Sequence, residues 1–338
     1  MEGDGETRAP AVTVVVPAFH AAGRIGAVVR AALGQRGLPG EVEVVVVDDG
    51  SADDTAGEAE RAGARVVRQE NRGPAAARNR GWREAAGDPV LFTDSDCLPA
   101  PDWAARLTAL LREERAGAAG GSYDAANGES LLAACVQEEI ALRHARMGKE
   151  VRFLGSFSLA VPRRVLEETG GFDESYRRAS GEDNDLSYRI RKSGRRLLFD
   201  PEARVAHEHP ERLGRYLKEQ ARHGYWRMKL YREHPERMRG DDYSGFADFL
   251  EPPAAILALA AIPFLFWTPA RALFLLSAGA VLLAAAFPAA AILRRTGEPR
   301  LAAFLPVRFL RSFARGIGMA AGVLRFWFRP AEREGGRG

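Results

Sequence analysis

Apolar and polar positions alternate in blocks along the first 120 residues. Val12–Val16 is an unbroken β-branched run, Val42–Val47 a second, Ala64–Val67 a short third and Val90–Thr93 a fourth. Continuous apolar runs fit strands covered on both faces, because a half-exposed strand would alternate. Between them, helical spacing marks Gly23–Leu33, Asp53–Ala62 with an acidic first turn that suits the helix dipole, and Pro74–Ala86 with proline in its first turn. The alternation predicts an α/β domain on a mostly parallel sheet with helices on both faces. In such sheets ligands bind beyond the carboxyl ends of the strands. That rule picks out Pro17–His20, Asp48–Ser51 and Asp94–Cys97.

Further along, Glu129–Ala145 and Glu211–Tyr231 carry helical patterns, Phe153–Val161 reads as a strand ending at Pro162, and Asp183–Ser193 as a helix stopped by Gly194. After Leu250 the pattern changes. Pro252–Trp267 and Ala272–Leu293 are uncharged apolar runs of 16 and 22 residues. The second matches the ~20 residues of a bilayer span, and the first is marginal unless Phe246–Leu250 extends it. Thr268–Arg271 joins them as a tight hairpin, and Arg294-Arg295 closes the second run. The positive-inside rule places that pair, and the large N-terminal domain with it, in the cytoplasm. Leu301–Phe328 is apolar but carries Arg308, Arg311, Arg315 and Arg325 on roughly one helical side. This predicts an amphipathic helix lying in the membrane interface. The alternative is a buried helical hairpin in a soluble C-terminal domain.

Composition narrows the picture. The chain has 338 residues, of which 46% are hydrophobic and 28% charged, which excludes wholesale disorder. The net charge of +3 is unevenly spread: residues 251–338 hold 11 Arg against 4 acidic residues, a net of +7 that leaves −4 for the first 250. A basic excess beside the most apolar stretches points to a membrane surface and not to nucleic acid. Two cysteines, Cys97 and Cys135, exclude a disulfide scaffold and a cysteine zinc site and fit a reducing compartment. The start, MEGDGETRAP, is polar and acidic, unlike a secretory signal, and residues 1–10 are expected to be disordered. A flexible tail is expected over 330–338.

Four segments carry candidate chemistry. Asp94-Ser95-Asp96 follows a buried strand, and in extended backbone residues i and i+2 share a side, so both carboxylates can face one hard cation such as Mg2+ or Mn2+. Asp49, at the end of the second strand, can accept a hydrogen bond from a ligand, while Ser51 and Asp53 fit turn and capping roles. Asn71–Gly81 opens a helix whose Arg78 can reach phosphate or hold Asp49, and whose small residues allow close packing on the sheet. Glu182 and Asp183 begin another helix, where carboxylates serve either as dipole caps or as a general base.

The segments PAFHAAGRI, VVVDDGSADDT, NRGPAAARNRG, FTDSDC, GGFDES and GEDNDLSYRI, in this order, resemble the family 2 glycosyltransferases of GT-A fold over about residues 11–235. The resemblance implies an inverting transfer from a nucleoside-diphosphate sugar, with UDP the commonest carrier and GDP or dTDP as alternatives. It implies a base pocket lined by Pro17, Phe19 and Asp49, a metal pair Asp94 and Asp96 with Mg2+ or Mn2+, and Asp183 as base with Glu182 beside it. Gly155–Ser158 is implied to lie near the acceptor, and His207 to be a substrate or metal contact, with His209 an ordinary surface or packing residue. Phe19-His20 stands where the family often has Tyr-Asn. The family's processive Gln-x-x-Arg-Trp motif is missing, since Gln220–Trp226 has the wrong spacing, and this implies single additions. Residues 246–329 are expected to form a membrane anchor, which implies a lipid-linked or membrane-proximal acceptor in cell-envelope glycan or glycolipid synthesis. Two rivals remain. A nucleotidyltransferase would need a Gly- and Lys-rich loop, which Ala18–Gly26 lacks; an inactive membrane scaffold would not need Asp94, Asp96 and Asp183.

Overall fold

The computed structural model describes residues 9–178, 181–236, 242 and 246–328. Most of the expected disordered start, and the whole of the expected tail, lie outside the described residues. The chain divides into two compact units, Met1–Asp124 with Met147–His207, and Ala125–Arg146 with Glu208–Gly338.

The first unit is built on a nine-stranded sheet. Its strands are β1 (Val12–Ala18), β2 (Val42–Asp48), β3 (Arg65–Arg68), β4 (Val90–Phe92), β5 (Cys97–Pro99), β6 (Ala116–Ala125), β7 (Glu150–Val151), β8 (Leu159–Val161) and β9 (Arg196–His207). They run in the order β3-β2-β1-β4-β8-β6-β9-β5, with β7 beside β9. The first four are parallel, as the sequence predicts. From β4 onward the sheet turns antiparallel at β4–β8, β6–β8, β5–β9 and β7–β9.

Helices cover both faces. Along β1 the side chains alternate between two apolar clusters: Val12, Val14 and Val16 pack with α1 (Ala22–Leu33), α2 (Thr55–Arg61) and α4 (Trp103–Leu110), while Val15 packs with α3 (Pro74–Glu84), α6 (Arg163–Thr169) and α7 (Glu182–Lys192). A two-residue period splits each buried strand between two cores, which is why these strands read as unbroken apolar runs. The small residues of α3 have the expected purpose: a Cβ on Gly81 would overlap the Val15 side chain. The segment expected as one strand over Phe153–Val161 is a 3-10 turn at Ser156–Ser158 followed by β8.

The second unit is helical. It contains α5 (Leu131–His144), α8 (Leu213–Glu233), α9 (Phe246–Ala261), α10 (Thr268–Thr296) and α11 (Phe304–Phe326). Thus α5 and α8, which the sequence reading placed in the 11–235 domain, group with the C-terminal helices. α10 has 29 residues and is long and apolar enough to cross a membrane.

α11 departs from expectation at two of its four arginines, which are buried, while Arg325 is exposed. Arg308 and Arg311 are about 2% exposed and pair with Glu139 of α5 and with Asp248 and Glu251 of α9. Arg143 of α5 joins the cluster through Glu139 and a two-pronged contact with Asp248 at 2.8 and 2.9 Å. Ser312 donates to Glu251 at 2.9 Å. The carboxylates that neutralise these arginines come from distant helices, so spacing within α11 alone misassigned its polar side. Several exposed positions of α9, α10 and α11 are apolar: Leu257 on α9, Leu275, Leu276, Leu283 and Phe287 on α10, Ile317 and Leu324 on α11. Three glycines of α11 let neighbours in: a Cβ on Gly318 would overlap the Ala221 carbonyl of α8, one on Gly322 that of Tyr225, and one on Gly316 that of Pro252 in α9.

Candidate active site

The site lies in the first unit, at the carboxyl ends of β1, β2 and β4. The loop after β1 is tied to the loop after β2. The His20 amide donates to Ser51 Oγ at 2.9 Å, Ala21 to Thr55 Oγ1 at 2.8 Å and Ala22 to Asp53 Oδ2 at 3.2 Å. Ser51 and Asp53 therefore do the turn-forming work expected of them. Pro17 is half-buried at the end of β1, and beyond it Phe19 stands exposed with its ring 4.0 Å from that of His20.

Asp49 is buried and its carboxylate organises the next loop. Oδ1 accepts from Gln69 Nε2 at 2.7 Å and the Arg72 amide at 2.9 Å; Oδ2 accepts from the Gly73 amide at 2.8 Å. Gly73 sits at φ +93° where a Cβ would meet the Arg177 backbone, so glycine is required there.

Arg78 does not hold Asp49. Its side chain, 2% exposed, bridges two other carboxylates: Nη2 donates to Asp94 at 2.7 Å and Nη1 to Glu182 at 2.9 Å. Burial alone would lower its pKa, but the charges of Asp94 and Glu182 outweigh burial and raise it. The Phe172 ring lies 5.5 Å from the guanidinium carbon. Phe172 is fixed by Asn79, whose Oδ1 accepts the Phe172 amide at 2.8 Å and whose Nδ2 donates to the Phe172 carbonyl at 2.8 Å. This explains the NRGPAAARNRG and GGFDES segments: one supplies the bridging arginine and its clamp, the other the ring that covers it.

Glu182, expected beside the base Asp183, is buried and its Oε1 accepts from Arg78. Asp183 is the more open of the two, and its Oδ1 accepts from the Asn184 amide at 2.8 Å and side chain at 3.1 Å.

The Asp94/Asp96 pair also departs from expectation. Asp94–Cys97 is a turn, closed by the Cys97 amide donating to the Asp94 carbonyl at 3.1 Å, and not extended backbone. The two carboxylates have different partners: Asp94 pairs with Arg78, and Asp96 lies 3.7 Å from His207 Nε2. Pairing of β5 with β9 sets Cys97 opposite His207. Among the described residues, Asp96, Cys97 and His207 form the cluster with metal-ligand chemistry, their donor atoms within 4.8 Å of one another. Burial pushes the Asp96 carboxyl up, but the His207 imidazole outweighs it and holds the group below the ordinary range. Burial, reinforced by Asp94 and Asp96, keeps the Cys97 thiol protonated, unsuited to a hard ion. The oxygen of Asp96 and the nitrogen of His207 are donors that a divalent ion such as Mn2+ or Mg2+ can take.

One aromatic residue, Tyr123, escaped sequence reasoning. Tyr123, near the end of β6, stacks on Phe157 with ring centroids 3.5 Å apart and tilts against His207 at 4.9 Å. The Ser158 hydroxyl, expected near the acceptor, is buried and accepts from Trp103 Nε1 at 2.8 Å. His209 packs as expected, with Nε2 2.8 Å from Gln137 Oε1.

Known proteins agree with this architecture. Residues 10–225 match the family profile described as glycosyltransferase like family 2. The pre-mycofactocin glycosyltransferase of Mycobacterium tuberculosis is 31% identical over 243 residues, covering 67% of this chain and 48% of that protein. An N-acetylglucosaminyltransferase of Mesorhizobium japonicum is 30% identical over 245 residues, covering 66% and 57%. The chain thus spans about half the length of the curated relatives it matches. Among solved structures, the mannosyltransferase PcManGT of Pyrobaculum calidifontis, in complex with GDP-Man and Mn2+, superposes with a TM-score of 0.57 at 24% identity, over 96% of this chain and 89% of that one. The fold, the segments that build the site and the span of the family match coincide, and the chain belongs to glycosyltransferase family 2.

Proposed function

We propose that the chain transfers a sugar from a nucleoside-diphosphate sugar to a hydroxyl acceptor, with inversion and by single additions. The observation that carries this reading is the Arg78 bridge. One buried guanidinium ties the loop leading to Asp96 and His207 to the first turn of the helix that carries Asp183. Asp183 is the base: Asn184 orients it through Oδ1, leaving Oδ2 to take the acceptor proton. Asp96 and His207 would hold Mn2+ or Mg2+, which when bound supplies positive charge to the departing diphosphate. Asp94, turned to Arg78, positions that loop beside the diphosphate. Pro17 and Phe19 line the base pocket. Asp49 borders it, and its Oδ2 retains capacity for a base N–H.

The relatives' names and the GDP-Man bound to PcManGT favour a nucleotide sugar without choosing among UDP, GDP and dTDP carriers. The C-terminal unit anchors the enzyme at the cell membrane with the catalytic unit on the cytoplasmic side. The 29-residue α10, closed by Arg294-Arg295, and the outward apolar positions of α9 and α11 support this. A lipid-linked or membrane-proximal acceptor in envelope glycan or glycolipid synthesis follows. The test is nucleotide titration with and without Mn2+, paired with turnover, for wild type and Asp183→Asn. Retained binding with lost turnover supports the reading. Full turnover by Asp183→Asn overturns it. An enzyme that glycosylates only soluble acceptors and ignores lipid overturns the membrane part.

A further inference from the structure

We propose that Tyr123 is a positioning residue for the metal ligand His207, held in place by Phe157. The inference rests on the reading of Asp96 and His207 as metal ligands. His207 is the last residue of β9, paired with Cys97 of β5. Asp96 stands on one side of the imidazole at 3.7 Å, and the Tyr123 ring meets it at 4.9 Å and 47°. A tilted ring contact of this kind fixes a neighbour's plane without competing for its nitrogens.

Tyr123 is itself braced. Phe157 stacks on it, with ring centroids 3.5 Å apart and planes 14° from parallel. The turn that carries Phe157 is pinned by Trp103 donating to Ser158, and Gly155 leaves room for the ring, since a Cβ there would come within 2.5 Å of it. The sequence chain Trp103, Ser158, Phe157, Tyr123, His207 thus runs from the core to the ligand. Residues that orient a metal-binding histidine typically change metal affinity by about 10–100-fold when removed. Neither stacked ring has to touch substrate for this effect.

The experiment is Mn2+ titration of the full chain in detergent, followed by electron paramagnetic resonance, with Mn2+ alone as the probe. Wild type, His207→Ala, Tyr123→Leu and Tyr123→Phe are compared. The expected result is a loss of affinity on the order of tenfold or more in Tyr123→Leu, recovery to within about twofold in Tyr123→Phe, and loss of the nitrogen coupling to bound Mn2+ in His207→Ala. Should Tyr123→Leu fail to fold, Phe157→Leu is expected to give the same loss from the other side of the stack. Wild-type affinity in a folded Tyr123→Leu or Phe157→Leu overturns the positioning role while the metal reading stands. Unchanged binding by His207→Ala, or no binding by wild type, overturns the metal reading and the proposal with it.

Discussion

Arg78 and Asp94 form a 2.7 Å ion pair in which the arginine is buried and the aspartate one-third exposed. The same guanidinium is also held by Glu182, so the pair joins the strand-end loop to the helix that carries Asp183. Removing the arginine strands two carboxylates. Arg78→Ala is expected to destabilise the first unit by about 3–5 kcal/mol, as for other broken buried pairs. Arg78→Lys keeps the charge but loses the fork, and its cost should fall below that. Denaturant unfolding of both variants, followed by near-UV circular dichroism, checks the order.

Glu182 and Asp183 are neighbours with opposite expected phenotypes. Asp183→Asn should lower turnover by roughly 10²–10⁴-fold at unchanged unfolding midpoint. Glu182→Gln should lower the midpoint first, because it weakens a buried ion pair. A matched set of rate and melting measurements would refute the assignment if the two variants exchanged behaviours.

In the second unit, Glu139 accepts from Arg143, Arg308 and Arg311. Glu139→Gln is expected to cost about 3–5 kcal/mol by leaving arginine charge uncompensated. Thermal unfolding in detergent measures it, and a shift no larger than that of a surface Glu298→Gln control would count against the cluster's role.

Acid should loosen this unit. Burial, then Arg143, pushes His144 down to about 4. A group whose folded pKa is depressed stabilises the fold fully above its unfolded value of about 6.5, and that stability is lost as pH falls toward 4. Glu139, held far below the ordinary range by its arginines against the opposing effect of burial, adds a further loss below about pH 4. The melting temperature is expected to decline from pH 6.5 downward, and His144→Gln should flatten the decline between 6.5 and 4.

Close helix contact makes Gly318 irreplaceable. A Cβ there meets the Ala221 backbone, which cannot swing aside as a side chain does. Gly318→Leu should abolish the docking of α8 on α11, whereas the exposed Gly279→Leu, with open space around it, should be neutral. Limited proteolysis distinguishes the two.

What could be read from sequence followed from local chemistry. The strands and helices up to Phe92 were legible because Val14, Val45 and their neighbours are β-branched and apolar on both faces. β6 was not: Ala116–Ala125 has almost no β-formers, because Gly120 and Gly121 are needed where β6 approaches Leu154 and Ala203. Asp200-Pro201 similarly hides the middle of β9. Asp49, Asp94 and Asp96 were singled out by their position at strand ends, but their partners were not. The Arg78–Glu182 bond spans 104 residues of chain and Arg311–Glu139 spans 172, separations at which spacing carries no signal.

The inward arginines of the second unit invert the usual map of mutational tolerance. In a water-soluble domain the buried positions accept apolar swaps and the surface accepts almost any polar residue. Here Leu275, Leu276 and Leu283 should interchange freely with Ile, Phe or Val yet reject Lys, while Arg308 and Arg311 should reject even Leu. A saturation library read out by accumulation of the folded chain in cells would therefore recover two opposite alphabets from one polypeptide, with the exchange falling between its two units.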